Sequence, residues 1–176
     1  MRNILSITFI LQITFSVLNY NDAISVKFSN LECESKNQSW IIVHTCRLKA
    51  INRKRVDVNF NSTILHPVNI LHVQCQVLKK ANGYKPWLID YTVDGCAFLR
   101  KNNHPFVKIV YDLFKSKSNI NHTCPYGPII VKDLYLTPNS IPLPFPTGDY
   151  CLLLEWKFDR RIQIITKYCM EYIEDN

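Results

Sequence analysis

Glycine is scarce. Gly83, Gly95, Gly127 and Gly148 are the only four in 176 residues, and they form no loop able to cradle phosphate groups. The pattern H-E-x-x-H is missing, as is G-x-S-x-G, and His44, His66, His72, His104 and His122 stand scattered. Neither zinc-protease nor nucleophile-elbow chemistry is therefore signalled. We expect no enzymatic activity and no cofactor. Cysteines at C-x-x-C or zinc-finger spacing are also lacking, which argues against a metal site built from thiolates. No nucleic-acid-binding module is recognisable. A membrane span needs ~20 apolar residues. The one long uncharged stretch, Ile4 to Leu18, falls short and is broken by Ser6, Thr8, Gln12, Thr14 and Ser16.

That stretch has another reading. Met1-Arg2-Asn3 places one positive charge before it, and the polar run Asn19-Tyr20-Asn21-Asp22-Ala23 follows. A basic start, an apolar centre and a polar exit ending on a small residue predict a cleavable signal peptide over residues 1–23. Residues 24–176 are then expected to form a single domain, long enough to bury ~70% of its unfolded surface. The protein is expected to be secreted and monomeric. Its net charge of +7 suits contact with acidic headgroups or sulfated glycans, and equally suits solubility alone.

Cysteine usage agrees with export. Cys33, Cys46, Cys75, Cys96, Cys124, Cys151 and Cys169 make an odd count, so in an oxidising compartment most should pair and one should remain. Three sequons begin at Asn37, Asn61 and Asn121, each able to accept an N-glycan where it lies exposed.

Periodicity predicts a β-protein. Ile24–Phe28 alternates apolar with polar, and Val56, Val58 and Phe60 do so again. Val68–Lys79 puts Leu71, Val73, Cys75 and Val77 on one side, with Cys75 inward, and Gly83 turns the chain into a strand over Trp87–Val93. One helix interrupts the strands: Phe106, Ile109, Val110, Leu113 and Phe114 share a face, and Pro105 suits the first turn. Ser116–Pro128 reads as a loop, Ile129–Leu136 as a strand and Pro138–Pro146 as an extended connection. A last hairpin sets Tyr150, Leu152, Leu154, Trp156 and Phe158 on the same face as Ile162, Ile164, Thr166, Tyr168 and Met170. Centring its turn, Asp159-Arg160-Arg161, on Arg160 pairs Trp156 with Ile164 and Cys151 with Cys169. A Cys151–Cys169 cross-strand disulfide on the outer, more polar face is expected. Seven or eight such strands with one short helix predict an all-β sandwich.

The central segment carries a resemblance. Asn82-Gly83-Tyr84-Lys85-Pro86-Trp87-Leu88 precedes Thr92-Val93-Asp94-Gly95-Cys96. Ser118-Asn119-Ile120-Asn121-His122-Thr123-Cys124-Pro125-Tyr126 follows, then Pro142-Leu143-Pro144 leading to Gly148-Asp149-Tyr150. Leu31-Glu32-Cys33 and Cys46-Arg47-Leu48-Lys49 stand as N-terminal markers. Together they resemble a family of insect secreted proteins related to the ML lipid-recognition domains, including a CheB group associated with taste organs and pheromone responses. The resemblance implies an immunoglobulin-like sandwich that gapes around an apolar ligand. It also implies bridges Cys33–Cys46 and Cys96–Cys124, with Cys33–Cys169 as the rival for the first, because ML proteins often tie the first strand to the last.

The leading functional expectation is a carrier or sensor of a lipid, sterol or cuticular hydrocarbon, with a chemosensory setting. Trp87, Phe98, Phe106, Val110, Leu113, Phe114, Trp156 and Phe158 are the candidate pocket residues, each of which could equally fill a packed core. The alternative is an extracellular interaction protein with a filled core. It would meet a cell-surface receptor or acidic glycan through the basic run Arg47, Lys49, Arg53, Lys54 and Arg55.

Overall fold

The computed structural model describes residues 23–101, 104–142 and 145–175. The expected signal segment therefore lies outside the described residues, apart from Ala23. Among the described residues, eight strands form two antiparallel sheets. In chain order they are β1 (Ala23–Ser35), β2 (Ile41–Asn52), β3 (Arg55–Ile64), β4 (Leu71–Ala81), β5 (Gly83–Asp94), β6 (Ile129–Leu134), β7 (Gly148–Phe158) and β8 (Arg161–Asp175). The larger sheet has the order β1-β8-β7-β4-β5 and the smaller one β2-β3-β6. The core lies between them, with Val26, Phe28, Val73, Tyr150, Leu154 and Ile164 facing Ile41, Val58, Phe60 and Val131. The expected β-sandwich is the fold found.

Two helices rather than one separate β5 from β6: α1 (Gly95–Lys101) and α2 (Pro105–Lys115). The first is short and lacks the long apolar repeat that reveals the second. Asp94 caps it, its Oδ1 accepting the Ala97 N–H at 2.9 Å. At its start Gly95 leaves room for the Leu71 side chain, whose Cδ2 would lie 2.9 Å from a Cβ placed there. In α2 the apolar stripe turns toward the sheets, while the exposed face pairs Lys108 with Asp112 one turn on. The proline-rich connection is not wholly extended either, for Pro138–Ser140 makes a 3₁₀ turn capped reciprocally by Thr137 and Ser140.

The last hairpin pairs Cys151 with Cys169 and Trp156 with Ile164, but beyond that the register shifts. Lys157 faces Ile162 and Phe158 faces Arg161, so the turn is Asp159-Arg160 alone. Both turn residues have positive φ, 47° and 68°, as a two-residue hairpin turn with the sheet's twist requires. The residue displaced by the bulge is Gln163. It enters the protein, 1% exposed, and Ile162, expected inside, is 37% exposed.

Three disulfides form. Cys33–Cys46 spans the two sheets from β1 to β2 with a Cα–Cα distance of 6.2 Å. Cys96–Cys124 ties α1 to the loop before β6, and Cys151–Cys169 crosses β7 and β8. The rival Cys33–Cys169 bridge is overturned, since Cys169 already holds Cys151. The Cys151–Cys169 pair is also not in a polar setting. Leu78 and Leu153 cover it, and both cysteines are fully buried.

Candidate functional site

The smaller sheet has three strands against five, so it cannot cover the larger one. Helix α2 fills the deficit, lying beside β6 with its apolar stripe over β4, β7 and β8. A helix presents rounded ridges where a strand would lie flat, and the fit leaves space. Two apolar lobes result, of about 90 and 80 Å³.

The first lobe lies between the sheets. Leu71, Val73, Cys75, Trp156 and Ile164 line it from the larger sheet and Ile41, Phe60 and Val131 from the smaller. Phe98 of α1 and Tyr111 of α2 close it with Ile120 and Tyr126 from the Ser116–Pro128 loop. That loop is pinned by mutual backbone hydrogen bonds between Val68 and Tyr126, at 3.0 and 3.1 Å. The second lobe lies under the other side of α2, among Phe106, Ile109, Leu113, Leu134, Phe145 and Met170. Val110, Phe114 and Tyr168 line both lobes and so divide them. No Lys, Arg, His, Asp or Glu lines either.

The candidate pocket residues separate into two groups. Phe98 and Trp156 line the first lobe, Phe106 and Leu113 the second, and Val110 and Phe114 both. Trp87 stands elsewhere, stacked with Phe145 and Tyr150 at ring distances of 5.4 and 5.1 Å. Phe158 is also outside the lobes, buried at the sandwich end near Trp40. Alternation along β7 cannot tell these fates apart, because Trp156 and Phe158 share a face. The loop contributors Ile120, Tyr126 and Phe145 had only a weak signal, an apolar residue amid turn formers.

Polar groups at the first lobe are few. The Trp156 indole donates to Thr166 Oγ1 at 3.0 Å, and the Tyr126 hydroxyl donates to the His122 carbonyl at 2.6 Å. Burial pushes the Tyr168 hydroxyl up to about 12, and burial pushes the free Cys75 thiol up to about 12 as well. Cys75 is thus a neutral, inert wall residue near neutral pH. Among the described residues, no group of three or more His, Cys, Asp or Glu is placed to hold a metal.

The remaining candidates lie on the surface. Asn61 is exposed on β3, mid-strand rather than in a loop; Asn121 is exposed in the loop; Asn37 is half-buried in a turn. Arg47, Lys49, Arg53 and Lys54 are exposed along the β2–β3 hairpin. Arg55 differs from them. It grips the buried Asp57 through two hydrogen bonds of 2.7 and 3.0 Å, which raise its pKa further, and it covers the Tyr135 ring.

No curated protein matches the chain in sequence. Among solved structures it is similar to a Niemann-Pick type C2 protein from the Japanese carpenter ant. The likeness covers 85% of this chain and 95% of that one, with 13% identity and a TM-score of 0.32. Those values are too low to carry function across. Residues 73–152, a little under half of the chain, match the family described as a protein of unknown function, DUF1091, and this stretch runs from β4 into β7 with both helices inside it.

Proposed function

We propose that the protein is a secreted binding protein for a small hydrophobic molecule such as a lipid, sterol or cuticular hydrocarbon, in a chemosensory setting. The observation that carries this reading is the pair of apolar lobes beneath α2. Empty apolar space weakens a fold by ~24 cal/mol per Å³, roughly 2 kcal/mol for each lobe. A core under no other demand would close it with larger side chains. Apolar cavities stay dry, so an apolar ligand regains contacts that water would not supply. Drug-sized ligands occupy about 300–1,000 Å³, so a ligand of that size must displace α2, the one lining element outside the sheet ladders with an apolar face this long. Export is supported by the three disulfides, which persist in oxidising compartments.

The test is native mass spectrometry of secreted protein together with displacement of a neutral fluorescent probe. Copurifying or exchangeable lipid is expected, and Val110→Trp, which fills the partition, should abolish probe binding while the fold survives by circular dichroism. Wild-type protein that carries no lipid and takes up none would refute the carrier.

A second reading rests on the exposed hairpin cations Arg47, Lys49, Arg53 and Lys54, which suit a receptor or acidic glycan. Arg55, tied to Asp57, is no longer among them. Retention on heparin that survives neutralising Arg47, Lys49, Arg53 and Lys54 together would dismiss it.

A further inference from the structure

We infer that the ligand is an amphiphile whose compact anionic head sits in the groove outside α2, at Lys117, while its chain enters the second lobe; this rests on the hydrophobic-ligand reading above. The groove, of about 420 Å³, runs between the C-terminal half of α2 and the segment following β6. Its lining is mixed: Asp112, Ser116, Lys117, Thr137 and Asn139 bring polar groups to a floor that includes Ile109, Leu113, Leu134 and Pro142. Ile109, Leu113, Leu134 and Ser140 line both the groove and the second lobe, so a single shared wall separates a space that holds charged and polar groups from one that holds no charged group.

The chemistry of the two spaces assigns the two ends of the ligand. A charge inside the lobe would find no partner there, and an unpaired buried charge is strongly unfavourable. A charged end must therefore remain outside the wall. In the groove, the Asp112 carboxylate is held by Lys108. Thr137 and Ser140 satisfy each other through 2.9 Å hydrogen bonds. Lys117 makes no ion pair among the described residues, and its Nζ stands 5.4 Å from the centre of the Tyr135 ring. The Arg55 guanidinium covers that same ring at 3.8 Å but is engaged by Asp57. The uncompensated charge of the groove is thus positive. With the Ser116 hydroxyl and Asn139 amide as further donors, it suits an acceptor-only head, for which a carboxylate is the simplest case.

The experiment uses full-length secreted protein and a chain-matched set of n-alkane, alkanol, alkanoate and alkylammonium, each displacing a neutral fluorescent probe. Wild-type protein should bind the alkanoate about tenfold more tightly than the alkane, the effect of one charged hydrogen bond. Lys117→Gln should erase that preference and Lys117→Glu should shift it to the alkylammonium, with neutral-probe affinity unchanged in both. Alkane and alkanoate bound alike by wild type, or an order of preference that ignores both substitutions, would overturn the head site and leave the hydrophobic-ligand reading intact. Failure of every chain and of the probe itself to bind wild type would overturn both.

Discussion

Phe114 and Tyr168 meet edge to face, with ring centroids 5.5 Å apart and planes at 67°. One ring belongs to α2 and the other to β8, and both touch both apolar lobes. The division of the interior thus depends on how a helix sits on a sheet, and a helix packed there by its side chains is easier to move than a strand held along its length by a hydrogen-bonded ladder.

Phe114→Ala should join the lobes. Truncating this half-buried ring is expected to lower stability by about 3 kcal/mol, read as a shifted urea midpoint at constant slope. The same variant should accept bulkier probes than wild type does. An unchanged size limit would show that Phe114 is not the partition.

Removing the Cys96–Cys124 bridge should loosen the whole helical segment, because it closes a span of 28 residues that holds α1 and α2. Replacing both cysteines with alanine is expected to cost about 3–4 kcal/mol in the chain-entropy model. Stopped-flow displacement should also show faster probe release. Release at the wild-type rate, with stability lowered as expected, would separate bridge from exchange.

Cys75 and Tyr168 make stability fall in alkali. Each is raised to about 12 in the folded protein, whereas in the unfolded chain a thiol titrates near 8.5 and a phenol near 10. Between those values and about 12 the folded state binds more protons, so stability is full below the unfolded values and declines as pH rises through the window. Urea midpoints should drop from roughly pH 9 upward, less steeply in Cys75→Ala. Iodoacetamide should label Cys75 slowly in the native protein and more slowly still with a ligand bound.

Leu88 is 80% exposed with φ at 55°. It sits where β5 bulges between its pairings of Asp90 with Gln76 and Pro86 with Leu78. A leucine in the left-handed region is unfavourable by ~1–2 kcal/mol, and asparagine tolerates it better. Leu88→Asn should therefore raise the melting temperature. A fall would mean the side chain has a partner worth more than the strain.

Peptide mapping after glycosidase treatment should find Asn61 and Asn121 converted to aspartate, both being exposed. Asn37 should be modified less, since it is half-buried. Full occupancy at Asn37 with none at Asn61 would contradict this order.

The strands and α2 were legible because their side chains repeat with a clear period. Phe106 to Phe114 names its helix in five residues, and the Cys151 and Trp156 pairings follow from counting around Arg160. Counting failed where the backbone departs from its repeat. The bulge at Gln163 reverses two side chains without a glycine or proline to announce it. Helix α1 is too short for a period, and its one marker, the Asp94 cap, is common in turns. Most of all, a pocket is a property of what does not fill space. Trp156 and Phe158 look alike in the sequence, yet Trp156 borders the lobe closed by the helices and Phe158 packs at the sandwich end beside Trp40.

The Cys33–Cys46 bridge fastens one long side of the sandwich, where β1 and β2 are the adjoining edges of the two sheets. The far side, beyond β5 and β6, is closed by the packing of α2 and clasped by the Cys96–Cys124 bridge, which ties the helix after β5 to the loop before β6. The sandwich is a book with a spine and a clasp: two edge strands are fastened directly at one margin, and at the other the fastening runs through a helix and a loop. Opening that clasp, by reducing Cys96–Cys124, is the change expected to free the margin where α2 and the Lys117 groove lie, while the spine stays shut.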